Sequence, residues 1–185
     1  MFCNKLKISI ITILFTTNAV AFQDESIFED EDIYNQALPP VPYTGITVPG
    51  TKWCGPGNTA ANYSDLGTQR EADTCCRQHD HCEEILEPRQ SLHGLNNTGL
   101  FPILKCTCEQ TFLNCLQTVN NMVSNTLGRI YFGTRNKCFA NGHPIVRCKE
   151  HQNGTFRQRC IRYEVDKLRS KIWQFYDIPF YSFRR

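Results

Sequence analysis

Apolar positions recur with the period of a helix over residues 106–126. Their intervals of 4, 3, 4 and 3 residues place them on one face, so we predict a helix that Gly128 stops. The side chains on this face are Cys108, Phe112, Cys115, Val119 and Met122. A second helix is predicted over residues 71–86, which contain no Gly or Pro and are followed by Pro88. Polar and apolar residues alternate over residues 162–166, which predicts a half-exposed strand.

The N-terminus has the order of a secretory signal. Lys5 and Lys7 precede the apolar run Ile8–Phe15, and the small residues Ala-Val-Ala follow at 19–21. This order predicts cleavage after residue 21. The alternative is a membrane anchor, for which the apolar run is too short. We therefore expect residues 1–21 to be removed and the protein to be secreted.

Residues 22–45 form an acidic arm with six Asp or Glu, no Lys or Arg, and three prolines near its end. This composition buries little apolar surface, so we expect a disordered pro-segment or arm. Residues 46–185 suit one domain. They hold 18 Lys or Arg against 12 Asp or Glu, a formal charge of +6. A basic surface can favour solubility, a polyanion or an anionic membrane, and no nucleic-acid motif accompanies it.

The cysteine count agrees with an extracellular protein. The chain has 11 cysteines, and removal of the signal removes Cys3. The remaining even number predicts five disulfides in an oxidising compartment. Asn62, Asn96 and Asn153 each begin an Asn-x-Ser/Thr triplet, and these are candidate sites of N-glycosylation.

Cysteine spacing connects the two predicted helices. Cys75 and Cys82 are seven residues apart in the first, and Cys108 and Cys115 are seven apart in the second. Seven residues correspond to about 10.5 Å along one helix face. If the helices pack antiparallel, Cys75 can bridge Cys115 while Cys82 bridges Cys108. Spacing favours this pair of bridges, although ten cysteines allow many other pairings.

A candidate catalytic group lies between these bridges. His79 projects from the face that carries the bridging cysteines, and Asp80 follows it. Glu109 is the nearest carboxylate on the other helix that could reach the imidazole. The Gly-rich segment 53–58 precedes them, and together these groups predict a hydrolytic site assisted by calcium.

Two other interpretations of His79 remain open at this point. A histidine between two bridged helices can simply fill space. A zinc site of Cys and His is the other alternative, but the adjacent pair Cys75-Cys76 does not form the usual C-x-x-C arrangement, and secreted cysteines tend to oxidise.

Six segments occur in order from about Val48 to Tyr181. They are Trp53-Cys-Gly-Pro-Gly-Asn58, Cys75-Cys-Arg-Gln-His-Asp-His-Cys82, His93-Gly-Leu-Asn-Asn-Thr98, Cys106-Thr-Cys-Glu109, Ile130-Tyr-Phe132 and Tyr163-Glu-Val-Asp-Lys167. This set resembles the secreted phospholipase A2 family of the bee-venom type, group III. The resemblance implies a mainly α, disulfide-rich fold. Its expected parts are two antiparallel helices joined by disulfides, an N-terminal calcium-binding loop and a small C-terminal β-hairpin.

The resemblance also implies a calcium site and a catalytic set. Backbone carbonyls of Trp53, Gly55 and Gly57 match the calcium loop, and Asp80 matches the carboxylate that completes it. His79 matches the general base for water, and Tyr131 matches the tyrosine that supports the imidazole and its carboxylate. The implied disulfides are Cys54–Cys76, Cys75–Cys115, Cys82–Cys108, Cys106–Cys138 and Cys148–Cys160.

The implied activity is calcium-dependent hydrolysis of the sn-2 acyl ester of glycerophospholipids. The family has Asp where this chain has Glu109, whose extra methylene changes its reach by about 1.5 Å. We expect Glu109 to accept a hydrogen bond from His79 and the enzyme to be active. The alternatives are a catalytically silent relative that binds a receptor or lipid, and an unrelated disulfide-rich ligand. Intact His79, Asp80 and Tyr131 argue against the former, and the ordered motifs against the latter.

We expect a monomer that binds phospholipid surfaces peripherally, with no nucleic-acid partner and no transmembrane anchor. Trp53 is expected to be a packing residue, and His81 to have no catalytic role. An apolar rim for lipid contact could be formed by loop residues, whose alternative role is ordinary packing. These residues are Ile46, Val48, Leu100, Phe101 and Ile103.

Overall fold

The computed structural model describes residues 45–183, which contain three helices and eight strands. The predicted secretory signal, residues 1–21, and the acidic arm, residues 22–45, lie outside the described residues except for residue 45. Within residues 45–183 no helix is long and apolar enough to cross a bilayer.

Helix α1 (Arg70–Asp80) is shorter than predicted. The expected helix over 71–86 was wrong at its end because Ile85 and Leu86 form strand β1 (Ile85–Leu86), which pairs with β4 (Ile103–Leu104). The pairing buries Leu86 to 1% exposure, so tertiary packing outweighs the local helical pattern.

The predicted helix over 106–126 is two helices, α2 (Cys106–Val119) and α3 (Met122–Thr134). Asn120 takes a left-handed φ of 45°, and the side chain of Asn121 accepts a 2.8 Å hydrogen bond from the Ser124 N–H. This capping box begins α3. Gly128 therefore does not stop the helix. It lies inside α3, where an added Cβ would come within 2.3 Å of the Tyr181 ring.

The strands form four antiparallel pairs, β1 with β4, β2 with β3, β5 with β8 and β6 with β7. The bounds of the other strands are β2 (Ser91–Leu92), β3 (Leu95–Asn96), β5 (Lys137–Gly142), β6 (Ile145–Asn153), β7 (Gln158–Val165) and β8 (Ile172–Asp177). The predicted strand near 162–166 is the end of β7. The β6–β7 hairpin is longer than the small hairpin expected, and β5–β8 adds a second ladder. The description of the chain as mainly α is therefore corrected to a mixed α and β fold.

All five disulfides implied by the resemblance are present. Cys75 joins Cys115 while Cys82 joins Cys108, so α1 and α2 run in opposite directions along their contact. Cys82 lies two residues beyond α1, and its N–H donates to the His79 carbonyl at 3.2 Å, which continues the last turn. The spacing argument therefore succeeds even though one of its four cysteines lies outside a helix.

The core lies mainly between the three helices, where Phe112, Leu116 and Phe132 are at most 5% exposed. The buried side chain of Arg159 connects β7 to α3 and to the segment that follows β8. Its guanidinium donates to the carbonyls of Phe132 at 2.6 Å and Ile178 at 2.9 Å. Burial lowers the pKa of Arg159 to about 10.

Candidate active site

His79 is the penultimate residue of α1, and two aromatic side chains fix the plane of its imidazole. The ring stacks on Phe112 of α2, with centroids 4.2 Å apart and planes 27° from parallel. The ring of Tyr131, on α3, meets it edge-on at 5.0 Å. The three helices thus position one half-buried imidazole.

Glu109 and Tyr131 both face the same ring nitrogen of His79. The Tyr131 hydroxyl donates to Oε1 of Glu109 at 2.8 Å and lies 3.2 Å from Nε2 of His79. Oε2 of Glu109 lies 3.5 Å from that nitrogen and makes no hydrogen bond with any described residue. Glu109 is 2% exposed, so its carboxylate lies in a pocket closed to bulk water. The structure therefore brings His79, Glu109 and Tyr131 together, with the expected His79–Glu109 hydrogen bond present only as this 3.5 Å approach.

The hydrogen bonds assign the proton of the neutral imidazole. The Tyr131 hydroxyl donates its hydrogen to Glu109. Toward His79 the hydroxyl oxygen therefore acts as an acceptor, so Nε2 of the neutral imidazole carries the ring hydrogen. Nδ1 is then unprotonated, and it makes no hydrogen bond within residues 45–183. Burial, followed by the charge of Glu109, raises the pKa of the Tyr131 hydroxyl, which stays protonated as this arrangement requires.

Asp80 ends α1 beside His79. Loss of solvent around its carboxyl group raises the pKa of Asp80 to about 6, and the nearby His79 and His81 oppose that rise. Although much of the residue is exposed, no described side chain forms an ion pair or hydrogen bond with this carboxylate. An ionised Asp80 therefore has no ion-pair partner among residues 45–183.

In the Gly-rich loop upstream of α1, some backbone carbonyl oxygens accept hydrogen bonds and others do not. The carbonyls of Lys52 and Cys54 accept backbone hydrogen bonds from Thr59 at 2.7 Å and Val48 at 2.8 Å. Among the described residues, none donates a hydrogen bond to the carbonyls of Trp53, Gly55 or Gly57. The three free carbonyls are those that the resemblance assigns to calcium, and backbone carbonyls with one carboxylate form a donor set that suits this hard cation.

Glycine is required at two positions of this loop. A Cβ on Gly55 would lie 1.9 Å from the carbonyl oxygen of Ile46, and Gly57 has a φ of +78°. A side chain at either position would displace or strain the backbone that presents the free carbonyls.

A buried carboxylate that sequence reasoning missed fastens this loop to α1. Asp73 is 0% exposed. It accepts hydrogen bonds from the backbone N–H groups of Lys52, Trp53 and Gly67 at 2.8–3.0 Å. No role in the loop was predicted for Asp73 from the sequence, although an acidic residue two positions before the Cys-Cys pair is visible there. The Cys54–Cys76 disulfide makes a second connection between the loop and the same helix.

Trp53 and His81 also pack at this junction. Trp53 is 7% exposed, and its indole N–H donates to the Asp65 carbonyl at 2.9 Å, which agrees with its expected packing role. His81 was expected to be incidental, but its ring lies 5.4 Å from that of Trp53 and 5.0 Å from that of Tyr63. It contributes to the packing of the loop.

The structure also addresses the zinc alternative. His79, Cys82 and Cys108 lie within 4.8 Å of one another. The two sulfur atoms are joined in a disulfide, so neither is available as a thiolate ligand. This cluster is a disulfide packed beside a histidine.

The residues expected to form an apolar rim differ in exposure. Ile46 and Leu100 are 79% and 81% exposed, and Phe101 is 52% exposed. Val48 packs against the core and Ile103 belongs to β4, so these two are packing residues at least in part. The three candidate N-glycosylation asparagines, Asn62, Asn96 and Asn153, are all exposed.

Comparison with known proteins identifies the family of this chain. A family model described as phospholipase A2 matches residues 47–142. The chain is 38% identical over 138 residues to a phospholipase A2 of Apis cerana cerana, which covers 74% of this chain and all of the relative. It is 40% identical over 140 residues to one of Xylocopa appendiculata circumvolans, covering 74% of both chains. An acidic phospholipase A2 of Heloderma suspectum is 35% identical over 121 residues, covering 64% of this chain and 81% of the relative. The chain belongs to the phospholipase A2 family, in its group III or bee-venom type.

Proposed function

We propose that the protein is a secreted, calcium-dependent phospholipase A2 that hydrolyses the sn-2 acyl ester of glycerophospholipids. The observation that carries this proposal is the cluster in which Glu109 and Tyr131 both face Nε2 of His79 and leave Nδ1 free. Family membership and the phospholipase A2 relatives support the same reaction class.

His79 acts as the general base. Its Nδ1 accepts a proton from the water that attacks the ester carbonyl, and no serine or cysteine nucleophile is required. Glu109 stabilises the imidazolium that forms, because its buried carboxylate lies 3.5 Å from Nε2. Tyr131 orients that carboxylate through its 2.8 Å hydrogen bond. Tyr131 and Glu109 together keep the proton on Nε2 before the reaction.

Asp80 and the free carbonyls of Trp53, Gly55 and Gly57 are the groups that would hold calcium. When bound, calcium supplies a Lewis acid that stabilises negative charge on the ester oxygen. Asp73 positions the loop by accepting hydrogen bonds from the N–H groups of Lys52 and Trp53, so it holds the backbone next to the Trp53 carbonyl. The lack of an ion-pair partner for Asp80 among residues 45–183 supports this assignment, and a bound cation would offset the loss of solvent that raises the pKa of this carboxyl group.

The enzyme would act as a monomer at a phospholipid surface. The exposed side chains of Ile46, Leu100 and Phe101 support a peripheral contact with lipid, and the basic excess of the domain supports attraction to anionic headgroups.

Fatty-acid release from phospholipid vesicles, measured with calcium and with a chelator, tests the proposal. We expect release with calcium only, and loss of at least about a hundredfold in His79→Gln, because general-base catalysis contributes roughly 10² to 10⁴. Release that persists in the chelator, or in His79→Gln, would refute the mechanism.

A further inference from the structure

The third helix of the catalytic cluster lacks the covalent links that join the other two. Two disulfides connect the region of α1 to α2. Helix α3, which carries Tyr131, contains no cysteine. The Tyr131 hydroxyl nevertheless has to reach Glu109 of α2, to which it donates at 2.8 Å. The position of α3 at the site therefore depends on noncovalent packing.

The C-terminal segment, residues 178–183, supplies such packing. It follows β8 and contacts both α2 and the end of α3. The side-chain amide of Gln117, on α2, donates to the Ser182 carbonyl at 2.8 Å. The N–H group of Ile178 donates at 3.1 Å to the carbonyl of Asn136, which follows α3. These contacts at its two ends fix the course of the segment.

Tyr181 of this segment fits against one face of α3. Its hydroxyl donates to Oδ1 of Asn125 at 2.8 Å, and its ring stacks on that of Phe132 with centroids 6.3 Å apart and planes 17° from parallel. Between these contacts the ring lies against Gly128, where a Cβ would come within 2.3 Å of Cδ2 and Cε2 of the tyrosine. Positions 125, 128 and 132 share one helix face, so Tyr181 contacts successive turns of α3.

Aromatic contacts continue from Tyr181 to the imidazole. Phe132 is 0% exposed, and its ring centroid lies 5.0 Å from that of Tyr131 and 5.8 Å from that of Phe112. Phe112 in turn stacks on His79. Because such a core is closely packed, a gap at one ring lets its neighbours shift. Loss of the Tyr181 ring would therefore loosen the packing that supports Tyr131.

We propose that Tyr181 is a positioning residue for the reaction, which holds α3 where the Tyr131 hydroxyl can donate to Glu109. The inference rests on the proposed function, because the role of Tyr131 belongs to it. Tyr181 acts through Tyr131 and not on the substrate. The hydrogen on Nε2 of His79 depends on the same Tyr131 hydroxyl, so a displaced α3 also changes the tautomer of His79.

The tautomer of His79 tests the inference without the reaction. Long-range proton–nitrogen NMR spectra of the calcium-free protein, at a pH where the imidazole is neutral, distinguish a hydrogen on Nε2 from one on Nδ1. We expect the Nε2–H form in the wild type and in Tyr181→Phe, which keeps the ring, and a mixture of tautomers in Tyr181→Ala. A single Nε2–H form in Tyr181→Ala would overturn the inference.

Tyr163→Ala is the matched control for this measurement. It removes the same kind of side chain from β7, where the ring packs on Tyr176 and the hydroxyl accepts the Asp177 N–H at 2.8 Å. We expect this variant to lose stability and to keep the wild-type tautomer. A tautomer mixture in Tyr163→Ala as well would show a general effect of lost stability and would overturn the specific role of Tyr181.

Hydrolysis kinetics separate positioning from stability. We expect kcat to fall about tenfold in Tyr181→Ala, with KM and calcium Kd changed less than about twofold, because a misplacement of about 1 Å by a distant substitution can cost roughly a hundredfold. In a Tyr131→Phe background the same substitution should cause no further loss, since the hydrogen bond that Tyr181 supports is already absent. An equal loss in both backgrounds would overturn the inference.

Gly128→Ala tests the same contact in case Tyr181→Ala does not fold. Alanine suits the interior of a helix, but its Cβ would displace the Tyr181 ring. We expect the tautomer mixture and the lower kcat in this variant, and wild-type values would overturn the inference. A wild-type protein that has the Nε2–H form and releases no fatty acid would refute the proposed function, and the tautomer in the variants would still test the positioning.

Discussion

Glu109 accepts a 2.8 Å hydrogen bond from the Tyr131 hydroxyl through Oε1, and its other oxygen lies 3.5 Å from Nε2 of His79. One carboxylate therefore faces both side chains, with a different oxygen toward each. The Glu109 carboxylate approaches the histidine to 3.5 Å without a hydrogen bond between them.

Replacement of Glu109 by Gln should lower kcat about a hundredfold, because the neutral amide cannot stabilise the imidazolium of His79 as a carboxylate does. KM and calcium affinity should change little, since Glu109 is not among the proposed calcium ligands. Initial rates at saturating lipid and calcium measure the effect. Tyr131→Phe is the comparison and should lose less activity, because the charge of Glu109 remains. A Glu109→Gln enzyme with wild-type kcat would contradict the assigned role.

Calcium affinity should weaken as the pH falls through the pKa of Asp80, which is raised to about 6. Only the ionised carboxylate is a good ligand, so protonation competes with calcium below this pH. Lowering the pH from 7 to 5 should raise the calcium Kd about tenfold, whereas a carboxyl group of ordinary pKa would change it by less than about twofold. Calorimetric titration of the wild type at both pH values measures the difference, and a Kd that is nearly constant would contradict the prediction.

Asp73→Asn should weaken calcium binding about tenfold, since an amide cannot accept from the N–H groups of Lys52, Trp53 and Gly67 together. Luminescence of bound Tb³⁺, sensitised by tryptophan, gives the affinity without measuring activity. Asp177→Asn is a matched control, because this carboxylate accepts the Cys160 N–H at 2.7 Å on the C-terminal strands. Both variants should lose stability, but only Asp73→Asn should lose metal affinity. Equal Tb³⁺ affinities in the two variants would show that Asp73 is merely structural.

Arg159→Ala should destabilise the protein by about 3 kcal/mol, because it leaves a cavity and removes the donors to the carbonyls of Phe132 and Ile178. Arg162→Ala is the control. Arg162 is exposed and pairs with Glu150 on the surface, so its loss should cost less than about 1 kcal/mol. Urea unfolding without reductant measures both values. Similar midpoints for the two variants would show that the buried cation contributes no more than a surface pair.

The sequence predicted which residues of the site lie together better than it predicted the bounds of the elements. His79, Glu109 and Tyr131 were named from motif and spacing, and the structure places them in contact. The ends of the helices were missed because they depend on distant partners. Residues 85–86 pair with residues 103–104 instead of extending α1, and Gly128 lies inside α3, where the Tyr181 ring occupies the space of a side chain.

The contacts of Asp73 were not predicted from the sequence for a related reason. Asp73 resembles any acidic residue near a helix start, and only the folded loop shows that it accepts hydrogen bonds from three backbone N–H groups.

From the sequence, the matched spacing of seven residues favoured two of the five disulfides, and the ordered motifs named His79, Glu109 and Tyr131 as one site. Folding then decides which carbonyls of the loop accept no hydrogen bond from a described residue, and where the helices end. These properties depend on contacts between segments far apart in the chain, and no local pattern specifies the distance between them.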